Sequence, residues 1–458
     1  MRILQMSVQK AVFLNYIYKK AGMTMLERNS SQSTASMLLA GVQWLFFIFT
    51  NTVMVPLSIG HALDLSPAVI AESMQRSFIL TGAVCIVQAA WGHRFALMDG
   101  PAGVWWGLVL SICASAPAMG MDLGTVAASL ASGFIISGVL VIVLALCGFL
   151  RVMKRLFSPS VMGVFLFLIA FQLENTFFKG MVGYDQGGRF DLPIAGLSVV
   201  IIAVVAIIHI KGKGVFGQFS LLGGIVFGWI AYSLIFGQSS RIDAAGTDVI
   251  SIWHWMPWGT PHIDAGILVV SILAGIVNMM NTLTSLTAAS TLYGRESTRK
   301  EAIRSVLFTN TFSIIAACFG LIPFGTFASS IGFLENTRVL RRGALIVGAG
   351  LFIIVGAVPA LSGWLVQLPL SVGGAALFAA YLQMFGTAFR TLSSTTYTPK
   401  TIYRIALPIL TGICIMNLPA SAFSDLPPLL TPLLSNGLVI GVLLVLVVDN
   451  VVKWDRIK

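Results

Sequence analysis

The side chains that could do chemistry in this chain are few, and they stand in apolar surroundings. Asp99 lies in the run FALMDGPAGVWWG, beside Gly100 and Pro101, with Gly103 and Trp105 just after it. Ser329, Ser330 and Gly332 lie in FGTFASSIGFLENTR, with Glu335 three residues further on. Asn278 and Thr282 lie in VNMMNTLTS, one helical turn apart and so on one helix face. Together these groups could hold a polar ligand: an amide offers a donor and an acceptor, a hydroxyl offers both, and an isolated carboxyl can take a proton. Each also has a plainer role. The serines could bond to nearby carbonyls at a glycine-permitted bend. Asp99 could cap the helix that follows it. Glu335 is spaced for an i,i+3 ion pair with Arg338. Trp105 could stack on a planar ligand or anchor a helix at a membrane interface. The five histidines (His61, His93, His209, His254, His262) make no metal-ligand pattern, and no Ser/His/Asp grouping or phosphate loop is present. No catalytic residue, metal or cofactor is expected.

The surroundings set the class. Of 458 residues, 57% are hydrophobic and 10% charged, against roughly 25% charged in a soluble protein. Such a chain cannot cover itself with polar surface, which excludes a soluble enzyme, a disordered binder and a secreted disulfide scaffold. The cysteines (Cys85, Cys113, Cys147, Cys318, Cys414) lie singly in apolar runs. The runs are continuously apolar rather than alternating, so they read as membrane helices of about 20 residues and not as barrel strands. Fourteen segments are expected, over 37–57, 75–92, 95–117, 125–150, 160–178, 192–210, 215–237, 264–289, 303–322, 325–340, 342–361, 364–385, 401–420 and 430–450. Residues 1–35 read as a polar cytoplasmic tail, with Met23 or Met25 as alternative starts. Segments 3 and 10 carry Asp99 and Ser329, and Gly, Pro and Ser interrupt both near the middle.

Charge fixes the orientation. With the N-terminus cytoplasmic, 24 of the 28 Lys and Arg residues fall on the cytoplasmic side, leaving Arg76, Lys179, Arg189 and Arg241 outside. The net charge of +11 is therefore a topology signal, not a nucleic-acid footprint. Fourteen segments divide into two sevens, and an odd-numbered repeat must be inverted relative to its twin. The first repeat would span 36–238, an extracytoplasmic connection 239–263, and the second repeat with a short tail 264–458. Asn51-Thr52 in segment 1 and Asn281-Thr282 in segment 8 fall at equivalent positions, as do the interrupted segments 3 and 10. Interrupted segments in matching positions of two halves point to a transporter's binding site, where half-helix N-termini face the ligand.

The stretch from Ser329 to Arg338 resembles the signature of the nucleobase–ascorbate transporters, the nucleobase:cation symporter-2 (xanthine/uracil permease) family. That signature runs Gln/Glu-Asn-x-Gly, four residues, Thr-Arg; Gly332, Thr337 and Arg338 match it, and Ser329 and Ser330 stand at the Gln/Glu and Asn positions. GVQWLFFIFTNTVMVPL, FSPSVMGVFLFLIAFQL and QLPLSVGGAALF are similar to the family's first, fifth and twelfth segments, and the likeness extends over about 37–450, nearest the purine-permease branch. The family's segment 8 carries a substrate-binding Glu and an assisting His or Asp; Asn278 and Thr282 stand at those positions.

The resemblance implies an all-α membrane fold in which segments 3 and 10 contain short paired β-strands. Segments 1–4 and 8–11 would form a core domain, and segments 5–7 and 12–14 a gate that often mediates homodimerisation. It implies import of a nucleobase, a purine before uracil, by symport with protons (or sodium) across a bacterial-type inner membrane. The expected substrate-binding set is Asn278, Thr282, Ser329, Ser330, Gly332, Asp99, Gly103 and Trp105. Asn278 cannot titrate, so Asp99, with no Lys or Arg within a turn, and then Glu335 are the expected proton carriers. Glu174, at the outer end of segment 5, is expected to reach headgroups. The alternatives on the same fold are an anion transporter and a nucleobase uniporter.

Overall fold

Polar residues just ahead of the apolar runs start the helices. Asp122, Ser158, Asp191, Asp264 and Asn436 each accept a hydrogen bond from the backbone N–H three residues on, at 2.8–3.3 Å. Such N-caps satisfy donors that the first helical turn leaves orphaned. Thr298 and Glu301 form a reciprocal capping box. Burial works against the Glu301 charge, but the Thr298 N–H and the Arg295 guanidinium, 3.1 Å away, hold its carboxyl below the usual range.

The computed structural model describes residues 34–183, 189–212, 220–237, 252–337, 339–393, 395–423, 425–427, 430–452 and 454. The expected tail up to residue 33, most of the 239–263 connection and Arg338 lie outside them. The helices are α1 (Thr34–Thr52), α2 (Met54–Ala62), α3 (Pro67–Ala90), α4 (Gly103–Ser115), α5 (Leu123–Leu146), α6 (Leu150–Leu156), α7 (Pro159–Met181), α8 (Leu192–Lys211) and α9 (Ser220–Phe236). They continue with α10 (Ala265–Tyr293), α11 (Arg299–Cys318), α12 (Ser329–Thr337), α13 (Arg342–Gly356), α14 (Pro359–Leu365), α15 (Leu370–Leu392), α16 (Pro399–Asn417), α17 (Thr431–Leu434) and α18 (Gly437–Asn450). Strands β1 (Asp99–Pro101) and β2 (Phe324–Thr326) precede α4 and α12. Among the described residues eight spans are long and apolar enough to cross a membrane, with α13 and α14 as a further span bent by 85°. The protein is a multi-pass membrane protein.

Several expected boundaries move. The second span, placed at 75–92, is α3 and begins at Pro67. The span placed at 364–385 is α15, shifted towards Leu392. The preceding residues form α14, which Pro359 starts at a sharp angle to α13, since proline disfavours helix in the residue before it. Between the expected fourth and fifth spans, Leu150–Leu156 forms the short helix α6.

The helices pack as two groups. In one, α13 lies on α1 and α3, and α5 lies on α10 and α11. Gly348 lets α13 approach α1 closely: a Cβ there would meet the Gly41 carbonyl at 2.6 Å. Phe78 of α3 and Phe352 of α13 meet with ring centroids 4.6 Å apart. In the other group α7 lies along α15, α16 pairs with α18, and α8 with α9. The strand pair belongs to the first group and faces the gap between the two.

Candidate functional site

Strands β1 and β2 pair antiparallel, with Asp99 opposite Thr326, Gly100 opposite Gly325 and Pro101 opposite Phe324. The ladder continues at its ends: the Phe327 N–H donates to the Met98 carbonyl at 2.8 Å, and the Ala102 N–H to the Pro323 carbonyl at 3.1 Å. A two-stranded sheet has two open edges, and inside a bilayer no water is at hand to satisfy them.

Side chains do so here. On the β2 edge the Asn278 amide donates to the Phe324 carbonyl and the Asn281 amide to the Thr326 carbonyl, both at 2.8 Å. Ser313 of α11 accepts the Phe324 N–H at 2.9 Å. The strand fits against α10 because residue 325 is glycine; a Cβ there would run into the Asn278 side chain and into Ala102. On the β1 edge the Asp99 carbonyl accepts the Cys85 thiol at 3.1 Å. Ser330 accepts the Met98 N–H at 3.1 Å, tying the start of α12 to the chain before β1.

Asp99 is not the isolated carboxyl that its neighbours in sequence suggest. It is fully buried, and its Oδ2 accepts from Gln88 at 2.9 Å and from Thr309 at 2.6 Å. The His93 ring lies 4.0 Å from its other oxygen. These partners come from α3, α11 and the loop before β1, none within a helical turn of Asp99. The Asp99 side chain thus ties β1 to the helices on either side of it.

A cavity of about 1380 Å³ lies on the gap side of the strands. Its walls include Asn51 and Thr50 of α1, Gly103 at the start of α4, Asn281 and Ser285 of α10, Thr326 of β2, and Ser329 and Gly332 of α12. The second helix group contributes Leu173 of α7 and Tyr381 of α15. The cavity reaches Glu335, Arg390 and Gly212, at the helix ends that carry the basic loops. On the other side of the strands Pro101, Ser73 and Trp258 border a void of only about 20 Å³, room for about one water.

The predicted set divides around this cavity. Ser329, Gly332, Gly103 and Glu335 line it. Asn278 is 3% exposed and lies behind the lining, as do Thr282, Ser330 and Asp99. The Trp105 ring is buried edge-on against Phe134, at 5.1 Å, and does not border the cavity. Rotation about α10 explains the split. Positions 281, 285 and 288 form the face towards the cavity, and 278 and 282 the face towards β2. The residues that bear on the site but were not picked out are Asn281, Asn51, Gln88, Thr309, Ser313 and Tyr381. The Asn-Thr pairs of segments 1 and 8 flagged two of them. Gln88, Thr309 and Ser313 carry no motif and matter only through the fold.

The xanthine/uracil permease model, described as a permease family, matches residues 35–421. This chain belongs to that family. YwdJ of Bacillus subtilis is 28% identical over 92% of this chain and 97% of its own length. The uric acid transporter UacT of Escherichia coli is 25% identical, over 91% of this chain and 86% of its own. Among solved structures, the transmembrane domain of the cyanobacterial bicarbonate transporter BicA superposes with a TM-score of 0.61 at 13% identity, covering 86% of this chain and 97% of that one. At that identity the likeness speaks to the fold alone.

The two asparagines of α10 should separate under mutation. Asn281→Ala removes an amide that lines the cavity, and loss of one buried hydrogen bond costs about 1–3 kcal/mol, so the apparent affinity for the transported solute should fall about 5- to 150-fold. Asn278→Ala should lower the melting temperature in detergent while leaving that affinity within about twofold. Uptake kinetics and thermal unfolding of the two variants, side by side, check the assignment; the reverse pattern would contradict it.

Proposed function

We propose that this permease imports a nucleobase, a purine such as xanthine, uric acid, hypoxanthine or guanine in preference to uracil, by alternating access coupled to protons. Family membership makes it a nucleobase transporter, and the similarity to a uric acid transporter and to a xanthine permease supports a purine. The observation that carries the reading is the cavity wall. Two half-helices, α4 and α12, begin at one strand pair, and Gly103, Ser329, Asn281 and Asn51 offer hydrogen-bonding groups around one space. A planar base edge carries donors and acceptors side by side, and amides and free helix N–H groups match both. Asn278, Thr282, Ser330 and Asp99 are assigned to holding the strands, and Trp105 to packing.

The membrane arrangement is proposed on the same footing. Among the described residues, the eight long spans, the bent pair, the short apolar helices α4, α9 and α18, and α11 and α12 are consistent with one helical unit for each of fourteen segments. The exchange of packing, with α13 on α1 and α3 and α5 on α10 and α11, is what two inverted repeats would give. In the proposed orientation the cavity opens to the cytoplasm, both termini are cytoplasmic and the protein resides in the inner membrane, as a homodimer joined through the second helix group. Anion transport is the second reading, favoured by the fold shared with BicA and by two helix N-termini at one cavity.

Cells without their own base permeases, expressing this chain, should take up at least one radiolabelled purine base with saturation and faster than uracil. Uptake of bicarbonate or sulfate with no base transport would overturn the reading in favour of the second. A cysteine introduced at Ser297 should react with impermeant thiol reagents only from the cytoplasmic side; labelling from outside alone would refute the orientation.

A further inference from the structure

The acid expected to reach the headgroups does something else. Glu174 of α7 is 6% exposed, and neither carboxylate oxygen has a hydrogen-bond partner among the described residues. Leaving a buried carboxylate without donors is one of the costliest arrangements in a protein, whereas a protonated carboxyl avoids most of that cost. The groups that could compensate a charge there lie elsewhere. On α15, the nearest packed helix, Arg390 stands at the cavity mouth. On α16 and α18, Arg404 and Asp449 pair with each other, near the end of α7 where Asn450 meets Leu156; Lys400 and Tyr403 belong to that same start of α16, and Cys414 is exposed. On α8, His209 and Lys211 sit in the last turn, and α4 offers only Cys113. Lys179, on α7 itself, is exposed. Glu174 lies fifteen residues from the first residue of α7, about 22 Å along the helix from those basic ends.

One titratable group of the facing helix packs beside this stretch of α7: Tyr381 of α15. Its ring packs on Phe177, one turn along α7 from Glu174, at 5.4 Å. Its hydroxyl donates to Asn51 Oδ1 of α1 at 3.4 Å and borders the cavity. That bond spans the gap between the two helix groups. A tyrosine hydroxyl has a single proton to donate, so it can serve Asn51 or a carboxylate on α7, but not both.

We propose that Glu174 is the proton-binding site of the transport cycle and that Tyr381 links its protonation to the contact with Asn51. With the proton on Glu174, the Tyr381 hydroxyl is free to hold Asn51, and the two helix groups are joined across the cavity. When the proton leaves to water in the cavity, the carboxylate draws the Tyr381 O–H to itself and the bond to Asn51 breaks. The step moves one proton and makes or breaks no covalent bond other than that O–H. It rests on the proposal of proton-coupled base import, supplies the titrating group that Asn278 cannot, and leaves Asp99 to its Gln88 and Thr309 bonds.

The test uses the full chain in liposomes. Infrared difference spectra of the wild type between acid and alkaline pH should show a protonated-carboxyl band that Glu174→Gln removes; a band that survives in Glu174→Gln overturns the proposal whatever the substrate is. Glu174→Gln, nearly isosteric, should keep counterflow of radiolabelled xanthine within about twofold. It should lose accumulation driven by a pH gradient, which at one proton per base approaches about tenfold per pH unit in the wild type. Undiminished accumulation by Glu174→Gln contradicts the proposal. If the wild type carries no xanthine, uric acid or hypoxanthine, it is the base reading that fails, and the infrared result still decides the proton site. Tyr381→Phe should retain the infrared band but lose the accumulation; a Tyr381→Phe protein that accumulates xanthine like the wild type would remove Tyr381 from the link.

Discussion

A pair of three-residue strands buried in a membrane protein is costly unless every backbone group on its open edges finds a partner. Regular helices satisfy their own backbone; β1 and β2 satisfy only the edges that face each other. Groups on the remaining edges are met by side chains of neighbouring helices: Asn278, Asn281 and Ser313 on β2, Cys85 on β1, with the Asp99 side chain anchored to Gln88 and Thr309. Each of these bonds is modest alone, but leaving its partner unmade would cost more than the bond itself contributes. The polar residues inside α3, α10 and α11 therefore answer first to the strands and only then to a ligand.

That requirement also builds the site. Strands fixed in register set where α4 and α12 begin, and both beginnings lie at one cavity. Asn281 serves both purposes, its amide nitrogen on the Thr326 carbonyl and its side chain in the cavity wall. The second helix group offers a mostly apolar wall, and Tyr381 reaches from it to Asn51.

Much of this was legible in the sequence. The apolar runs and their caps placed nearly all helices, and Gly, Pro and Ser in segments 3 and 10 marked where helix gives way to strand. The signature stretch led directly to Ser329 and Gly332, which line the cavity. The side from which α10 is used was not legible. Asn278 and Asn281 are three residues apart, and only the position of β2 decides which of them meets the backbone and which also meets the cavity. Nor was the environment of Asp99 legible, because Gln88 and Thr309 lie 11 and 210 residues away in the chain. Glu174 was misjudged for a related reason: distance along a helix gives depth in the bilayer, but not whether a side chain faces lipid or a packed neighbour.

We propose that Asn278 holds the strand edge from behind while the permeant base meets Asn281 and the start of α12 in front. A structure of the full chain determined with a transported purine bound tests this most directly. The base should lie in the cavity within hydrogen-bonding distance of Asn281 or of the α12 backbone near Ser329 and Gly332, with Asn278 still bonded to the Phe324 carbonyl. A base hydrogen-bonded to the Asn278 side chain, with that bond to β2 broken, would contradict it.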